Sequence, residues 1–363
     1  MLCGTALALA IVGAVLVWAA TRDSARAAGN DPNGYLYRHL VNIVIAVGLT
    51  LLAARLDGRL LRLSGPVGYV AAALGLLLVF PLGATINGAH AWIRLSGGFE
   101  VQPSEFMKLG LIVGLAVLFT QRASKRDPTR PPTSLDVVLA LAMIALPLGL
   151  IMLQPDLGSA MVVGAAAFGV LIAAGVRARW TVGLLVLAVL GAVVVVKVGL
   201  LADYQLQRFS SFTHPGQDVQ GAAYNVTQAH IAIANGGLFG TGLFHGPQTN
   251  GGFVPEQRTD FVFSVAGEEF GLVGGTVIIA LFALLCWRGL LIARRADRTG
   301  QLVAVGIVCW FAFQAFQNIG MNLGLMPVTG LPLPFVSYGG SSMFAQALAI
   351  GVLEAVRRTS SAD

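Results

Sequence analysis

The sequence predicts an all-α polytopic membrane protein with about ten transmembrane helices, both termini in the cytoplasm, and a large extracytoplasmic loop between the seventh and eighth spans. Of the 363 residues, 56% are hydrophobic and only 11% are charged, and the mean hydropathy is +0.78. Several uncharged apolar runs are long enough to cross a bilayer. Because these runs are continuously apolar and do not alternate with polar residues, they indicate a helical bundle and not a membrane β-barrel.

Ten apolar runs justify the predicted number of spans. The first five cover residues 2–20, 39–54, 67–83, 105–120 and 136–153. The turn at 154–159 leads into the sixth run, which ends before Arg177, and the remaining runs cover about 181–200, 260–286, 302–324 and 337–356. The first run lacks the basic segment and the clean cleavage site of a signal peptide, so we interpret it as an uncleaved helix.

Basic residues orient these spans. Most of the 23 Lys and Arg residues lie in clusters at alternate ends of the spans, namely at 55–62, 122–130, 177–179, 288–298 and 357–358. Cytoplasmic loops carry the excess of Lys and Arg in membrane proteins, which places loops 84–104, 201–259 and 326–336 outside the cell. The same clustering argues against nucleic-acid binding, although the net charge is +6.

Residues 201–259 are the longest segment without a span, and we expect them to form the large outer loop. An amphipathic stretch at Tyr224–Ala234 predicts an interfacial or re-entrant helix inside this loop. This segment is too short for an enzyme domain of its own. The sequence therefore predicts one integral membrane domain over residues 1–363.

Acidic residues at the start of the eighth span are the strongest functional signal. A charged side chain costs about 2.5–3.5 kcal/mol at the centre of a bilayer and less near its surface, so residues of this kind are functional candidates. A helix that begins near Thr259 would place small and polar residues on one face, and we expect this face to line a cavity. Its members are Asp260, Ser264, Gly267, Glu268, Gly271 and Gly275.

We interpret Asp260 as a general base in a water-accessible cavity at the outer face of the membrane. The alternative is that Asp260 forms an interfacial ion-pair cluster with Glu256 and Arg258, and that this cluster only orients the loop. Both interpretations place the three residues together, because they lie within one turn of chain.

Two further groups of residues have a structural and a functional interpretation. Lys108 and Asp156 are the other charges near outer ends of spans, and a buried pair that joins two helices explains both of them. Trp92, close to Arg94 and Asn87, is either an anchor at the membrane interface or a wall for a sugar ring.

The small residues that open the tenth span, including Ser341 and Ser342, indicate either tight helix packing or contact with an anion through backbone N–H groups. The five His and three Cys residues show no metal-ligand spacing. A divalent cation, Mg²⁺ or Mn²⁺, would therefore be held by carboxylates and substrate phosphates. The absence of a GxxxxGK[ST] motif argues against ATP hydrolysis.

Five ordered motifs extend over nearly the whole chain. They are GAHAWIRLSGGFEVQPSEFMKL at 88–109, LQPDLGSA at 153–160, YNVTQAHIAIANGGLFGTGL at 224–243, FVPEQRTDFVFSVAGEEFG at 253–271 and PVTGLPLPFVSYGGSS at 327–342. In these motifs the chain resembles the SEDS family (shape, elongation, division and sporulation) of polytopic peptidoglycan polymerases. The stretch GMNLGLMPVTG at 320–330 is more similar to the elongation branch, RodA, than to FtsW.

The resemblance implies a peptidoglycan glycosyltransferase that polymerises lipid II into β-1,4 glycan strands, with undecaprenyl pyrophosphate as the leaving group. It maps the family's essential acidic residue onto Asp260, and its conserved tryptophan, glutamate and lysine onto Trp92, Glu105 and Lys108. An α-linked donor and a β-linked product imply inversion by a single displacement. In this scheme Arg94 and Lys108, or a cation, would offset the charge of the pyrophosphate. The sequence departs from the family pattern at Ala91, where arginine is usual, and at Arg258, where histidine is common.

The resemblance also implies a bacterial cytoplasmic (inner) membrane location, an active site that faces outside, and a class B penicillin-binding protein as the transpeptidase partner. Two other functions are compatible with a polytopic bundle. A flippase for the lipid-linked precursor would need charges at mid-membrane that are accessible from both sides, whereas the acids here lie at outer ends of spans. A scaffold that only recruits a partner would explain the spans but not Asp260.

Overall fold

The computed structural model describes residues 1–86, 88–94, 100–124, 131–198 and 222–360. Within these ranges the chain forms twelve helices. They are α1 (Leu2–Ala27), α2 (Gly34–Ala53), α3 (Gly58–Leu82), α4 (Pro103–Ser124), α5 (Ser134–Leu153), α6 (Leu157–Ala173), α7 (Ala178–Val198), α8 (Ala222–Gly236), α9 (Pro247–Gly251), α10 (Val262–Arg295), α11 (Arg298–Asn322) and α12 (Gly340–Thr359).

Each of the ten predicted spans coincides with one of these helices. Seven described helices are long and apolar enough to cross a membrane, namely α1, α2, α3, α4, α5, α10 and α11. Helix α6 and the part of α7 at Ala178–Gly191 are shorter apolar helices. A multi-pass membrane protein is therefore confirmed, whereas the number of ten spans, the sides of the termini and the orientation remain predictions. The amphipathic stretch at Tyr224–Ala234 lies within α8, as predicted; residues 201–221 of the same loop lie outside the described residues.

The all-α prediction is wrong in the loop before α4, which contains three short strands: β1 (Ala84–Ile86), β2 (Ala89–Arg94) and β3 (Glu100–Val101). They form an antiparallel sheet in the order β1-β2-β3, in which Thr85 lies opposite His90 and Ile93 opposite Val101. The physical reason is that this segment lies between apolar runs, where its backbone groups can pair locally across a turn. The long apolar runs that predict helices elsewhere are missing from this segment.

The chain forms two compact units, each made from several segments. The first comprises Met1–Gly48, Asp203–Trp287 and Gln314–Ala347, and the second comprises Leu49–Ala202, Arg288–Phe313 and Leu348–Asp363. Helices α2, α10, α11 and α12 each contribute residues to both units. The single membrane domain over residues 1–363 remains a prediction.

Helix α4 forms the core of the second unit. In its most apolar stretch 78% of the residues are buried, and Met107, Leu111, Ile112 and Leu115 are fully enclosed. It packs against α3, α5 and α6. By contrast, α3 exposes apolar side chains such as Leu74, which we expect to contact lipid.

Helix α10 of the first unit is broken at Gly271, where φ is 65° and ψ is −161°. The segment 236–242 provides hydrogen-bond partners for the backbone groups that the break leaves unpaired. The bonds are Thr241 N to Glu268 O at 2.9 Å, Gly242 N to Glu269 O at 3.1 Å, Leu272 N to Gly237 O at 2.9 Å and Val273 N to Leu238 O at 3.1 Å. Irregular backbone is tolerated at membrane depth where protein covers it. A Cβ atom on Gly271 would lie 2.4 Å from Gly240 N, so this position requires glycine. The predicted continuous span 260–286 is therefore two helical pieces.

Candidate active site

Asp260 lies in a tight turn that precedes α10. The backbone N–H groups of Thr259, Asp260 and Phe261 all donate to the Glu256 carbonyl, at 3.1, 3.1 and 3.2 Å. Glu256 has a φ of 54°, in the left-handed region that side chains rarely adopt. Its carboxylate accepts a hydrogen bond from Thr259 Oγ1 at 2.9 Å. The turn is thus closed around Glu256, and the Asp260 side chain is half-buried at its end.

The segment before α12 holds the carbonyl side of this turn. Tyr338 N donates to Arg258 O at 2.9 Å, and Ser337 Oγ donates to Thr259 O. Ser337 Oγ also accepts a hydrogen bond from Leu333 N at 2.8 Å. Two successive carbonyl groups next to Asp260 are therefore fixed by residues that sequence reasoning had grouped only as the start of a span.

Two asparagines of α11 fix Asp260 itself. Asn318 Nδ2 and Asn322 Nδ2 both donate to the Asp260 carbonyl, at 2.8 and 3.1 Å. Asn322 Oδ1 accepts a hydrogen bond from Ser264 N at 3.1 Å, in the first turn of α10. Both asparagines are fully buried. Asn322 thus binds the backbone on either side of the helix start, and this fixes the backbone that carries the Asp260 side chain.

These asparagines belong to a stripe of amide side chains on α11. The stripe satisfies carbonyl groups of the proline-rich segment 326–335, through the bonds Gln314 Nε2 to Pro332 O at 2.8 Å, Gln317 Nε2 to Pro327 O at 3.1 Å and Asn318 Nδ2 to Leu331 O at 2.7 Å. That segment has no helix or strand of its own, so its buried carbonyls need donors from elsewhere. Sequence reasoning missed this stripe, although four amides spaced by three and four residues in an apolar helix were a readable signal.

Neutral partners hold the two charged neighbours of Asp260. Arg258 donates from a guanidinium nitrogen to the Tyr35 hydroxyl at 2.8 Å, and its guanidinium carbon lies 4.7 Å from the centre of the Tyr35 ring. The Glu256 carboxylate accepts from Thr259, as described above. Among the described residues, Glu256 and Arg258 do not pair with each other. The alternative that a cluster of Asp260, Glu256 and Arg258 only orients the loop stays a prediction.

Glu268 and Glu269 bind the protein's own backbone, a role that the prediction of a cavity-lining face did not include. Both are buried, and their carboxylates bind the segment around α9 through the bonds Gln248 N to Glu268 at 2.9 Å, Thr249 N to Glu268 at 2.8 Å, Thr249 Oγ1 to Glu268 at 2.7 Å and Phe244 N to Glu269 at 3.1 Å. The cost of burying a carboxylate is offset here by backbone donors. These acids hold the segment around α9 in place.

Ser341 and Ser342 are buried in the first turn of α12. Gln346 Nε2 donates to Ser342 Oγ at 2.7 Å, and the Gln346 side-chain oxygen accepts from Phe335 N at 2.8 Å. This arrangement supports the packing interpretation for the two serines.

The structure divides the predicted site residues between the two units. Asp260, Glu256, Arg258, Ser341 and Ser342 belong to the first unit, whereas Trp92, Arg94, Glu105, Lys108 and Asp156 belong to the second.

Within the second unit, Lys108 and Glu105 form a buried ion pair. Lys108 Nζ lies 2.6 Å from Glu105 Oε1, and the two side chains are 0% and 1% exposed. The ammonium group also lies 5.3 Å from the centre of the buried Trp310 ring. Because Lys108 is enclosed, the expectation that it offsets the charge of a leaving pyrophosphate is not supported by its position.

Asp156 has different partners from those predicted. It is the N-cap of α6 and accepts from Ser159 N at 3.0 Å. Its other oxygen accepts from Gln102 Nε2 at 2.8 Å. The expected pair of Lys108 with Asp156 is therefore replaced by an ion pair inside α4 and a helix cap on α6, since each charge finds a closer partner.

Trp92 and Arg94 lie on strand β2. Trp92 is half-buried opposite Ala84. Arg94 is exposed and forms an ion pair with Glu100 on β3 at 3.3 Å. Asn87, their predicted neighbour, lies outside the described residues.

The described residues contain no group of three or more His, Cys, Asp or Glu side chains that could hold a metal ion. Several carboxylates in this part of the chain are engaged by backbone, hydroxyl, amide or cationic donors. The residues present therefore do not fit a dedicated site for Mg²⁺ or Mn²⁺.

A family model described as a cell cycle protein, FtsW/RodA/SpoVE, matches residues 1–362. The probable peptidoglycan glycosyltransferase FtsW of Coxiella burnetii is 36% identical over 353 residues, which is 96% of this chain and 92% of that protein. The peptidoglycan glycosyltransferase MrdB of Escherichia coli K12 is 35% identical over 351 residues, 96% of this chain and 90% of that one.

Solved structures show the same fold. The rod shape determining protein RodA of Thermus thermophilus has a TM-score of 0.71 and 31% identity, covering 98% of this chain and 95% of RodA. A chain from a peptidoglycan synthase complex that coordinates polymerization and crosslinking has a TM-score of 0.78 and 33% identity, with 98% of both chains covered. The chain described here therefore belongs to the SEDS family of membrane-spanning cell cycle proteins, the FtsW/RodA/SpoVE family.

Proposed function

We propose that this chain is a peptidoglycan glycosyltransferase that polymerises lipid II into β-1,4 glycan strands on the outer face of the bacterial cytoplasmic membrane. The observation that carries the proposal is the anchoring of Asp260. Its turn is closed on Glu256, and Asn318 and Asn322 hold its carbonyl group. A general base acts efficiently only from a fixed position within hydrogen-bond reach of the proton it removes.

The proposed reaction is a single displacement with inversion. The Asp260 carboxylate takes the proton of the acceptor sugar's 4-hydroxyl while that oxygen attacks the anomeric carbon of the donor. A new carbon–oxygen bond forms as the bond to the pyrophosphate oxygen breaks, and the undecaprenyl pyrophosphate leaves with the electron pair. The leaving group needs no proton, so one carboxylate is enough and the paired acids of glycosidases are not required.

We expect a divalent cation, Mg²⁺ or Mn²⁺, to enter with the pyrophosphate of the substrate. Mg²⁺ is commonly bound by one or two carboxylates together with substrate phosphates and water. No step above depends on it. Arg94, exposed on β2, remains a candidate contact for the leaving group, and we assign Glu105 and Lys108 a supporting role.

We further propose that the chain acts in cell elongation, as RodA does, and not in division. The sequence GMNLGLMPVTG at 320–330 supports this assignment, because it is more similar to RodA than to FtsW. The proposal is tested by depleting the native protein in its own host and observing whether cells round up or form undivided filaments. Filaments would contradict it.

The flippase alternative finds less support. The buried acidic and basic side chains among the described residues are His39, Glu105, Lys108, Asp136, Glu268 and Glu269, and all lie within the first eight residues of their helices. A flippase would place such charges at mid-membrane.

Purified protein incubated with lipid II and a divalent cation tests the activity directly, with glycan products separated on a gel. Polymer that a muramidase digests is the expected result. Movement of lipid II across the bilayer of a proteoliposome without polymer would favour the flippase instead.

A class B penicillin-binding protein is the proposed partner. The described part of the chain consists of helices, three short strands and connecting loops. The sequence has no extracellular Ser-x-x-Lys motif for peptide crosslinking. We expect the two proteins to co-purify and the transpeptidase to raise lipid II turnover. Failure to co-purify, with full activity of the isolated chain, would contradict the partnership.

The asparagine anchor leads to a kinetic prediction. We expect Asn322→Ala to lower kcat about tenfold with little change in KM, because a base displaced by a fraction of an ångström loses alignment but not substrate affinity. Gln301→Ala, at the other end of α11 with Arg298 as its partner at 2.7 Å, is the matched amide control and should retain full activity. Equal losses of kcat in both variants would mean that the effect is one of helix stability.

A further inference from the structure

A cavity of about 640 Å³ opens beside the turn that carries Asp260. The end of α1, the start of α2 and the segment 252–258 form its walls, all within the first unit. Its size is within the range of about 300–1,000 Å³ that small-molecule sites have. Glu256 and Arg258 of the Asp260 turn contribute to its walls, but no ligand has been assigned to it above.

Four charged side chains line the cavity, two acidic and two basic: Asp31, Arg38, Glu256 and Arg258. In the described part of the chain, their neighbours are neutral groups. The Asp31 carboxylate accepts from Asn33 N at 2.9 Å, and Arg38 lies close to the Tyr338 hydroxyl.

The remaining two, Glu256 and Arg258, are held by Thr259 and Tyr35, as described for the site. Among the described residues, no ion pair joins any two of these four groups. Each of them has hydrogen-bonding capacity left, because a carboxylate accepts up to about four hydrogen bonds and a guanidinium donates five.

This combination selects the chemistry of the ligand. A diphosphate would gain from the two arginines but would be repelled by the two carboxylates. A saccharide instead offers hydroxyl groups that donate to carboxylates and accept from guanidinium groups, and its N-acetyl groups do the same. Balanced charges with hydroxyl and amide neighbours, such as Ser24 and Asn30 on the same walls, fit such an uncharged ligand.

We infer that this cavity binds the amino-sugar glycan, as a saccharide subsite next to the catalytic turn. The inference rests on the proposed polymerase function and adds where the chain holds its sugar. The cavity wall reaches Glu256, whose carbonyl accepts from Asp260 N at 3.1 Å. A saccharide seated there contacts the same turn that positions the base.

The test is binding of a soluble N-acetylglucosamine tetrasaccharide, which carries no phosphate, to the purified full-length protein, measured by saturation-transfer NMR and calorimetry. We expect the double variant Asp31→Ala/Arg38→Ala to bind about tenfold more weakly, since two charge-assisted hydrogen-bonding groups are lost. Ser24→Tyr, which fills the cavity without changing charge, should weaken binding similarly. Arg26→Ala, whose exposed side chain pairs with Asp23 at 3.5 Å outside the cavity, is the control and should bind normally.

Inorganic pyrophosphate is the competing probe. If pyrophosphate at the same concentration as the tetrasaccharide does not compete with it, the inference is supported. If pyrophosphate displaces the saccharide, the inference is overturned. Absence of saccharide binding, or binding unchanged in both cavity variants, also overturns it.

Asp260→Asn separates this inference from the proposed function, because it should abolish polymer synthesis and keep tetrasaccharide binding. A wild-type protein that binds saccharide at the cavity but makes no polymer would remove the proposed function alone. One that polymerises lipid II without binding saccharide there would remove only the subsite.

Discussion

Asp260→Asn is expected to reduce lipid II polymerisation by about a hundredfold to ten-thousandfold, the usual contribution of a general base. Asparagine keeps the size of the side chain but cannot accept the proton of the acceptor hydroxyl. The backbone bonds from Asn318 and Asn322 to the Asp260 carbonyl do not involve the carboxylate, so the turn should persist. The measurement is initial rate of glycan formation by protein whose melting temperature has been checked.

The matched control is Asp57→Asn. Asp57 is the N-cap of α3, where it accepts from Leu60 N at 2.7 Å, and asparagine is as good an N-cap as aspartate. We expect this variant to retain wild-type activity and stability. Near-normal polymer yield from a folded Asp260→Asn protein would remove Asp260 as the base.

Breaking the Lys108–Glu105 pair should cause the largest loss of stability. Lys108→Met leaves the Glu105 carboxylate, which is 1% exposed, without its cation, and removing one partner of a buried pair costs about 3–5 kcal/mol. The double variant Lys108→Met/Glu105→Gln should recover much of this loss, because no uncompensated charge remains. The measurement is a double-mutant cycle: the free energies of unfolding of the wild type, both single variants and the double variant are compared in one detergent.

The exposed pair Arg94–Glu100 is the control for that cycle. Arg94 Nε lies 3.3 Å from Glu100 Oε1, and the two side chains are 65% and 40% exposed. Ion pairs at the surface contribute about 0–1 kcal/mol to the free energy of unfolding. Arg94→Met should therefore change the free energy of unfolding little. Purely additive losses at Lys108 and Glu105 would mean that the two residues do not act as a pair.

Sequence reasoning located the important residues better than it assigned their partners. It placed Asp260, Glu256 and Arg258 in one turn, and the structure brings them together. It paired Lys108 with Asp156, whereas the closer partners are Glu105 and Gln102. Spacing along a helix shows which side chains share a face, but the choice among several nearby partners depends on distances that only packing sets.

Glu268 and Glu269 illustrate the same limit. The spacing of three and four among small and acidic residues predicted a polar face. Its carboxylates, however, bind backbone N–H groups of residues 244–249, a segment whose position depends on the break at Gly271. Because the helix contains several other glycines, its composition does not show at which of them the helix breaks.

Sequence alone was enough to predict a multi-pass helical membrane protein, the family to which it belongs and the residue proposed as the base. Uninterrupted apolar runs, the placement of Lys and Arg, and ordered motifs are local properties of the chain, so they need no tertiary information. The way in which Asp260 is held, through Asn318 and Asn322 of α11 and Ser337 before α12, depends on tertiary contacts. These donors lie about sixty to eighty residues away along the chain, and a buried carbonyl accepts from whichever donor the fold brings within reach.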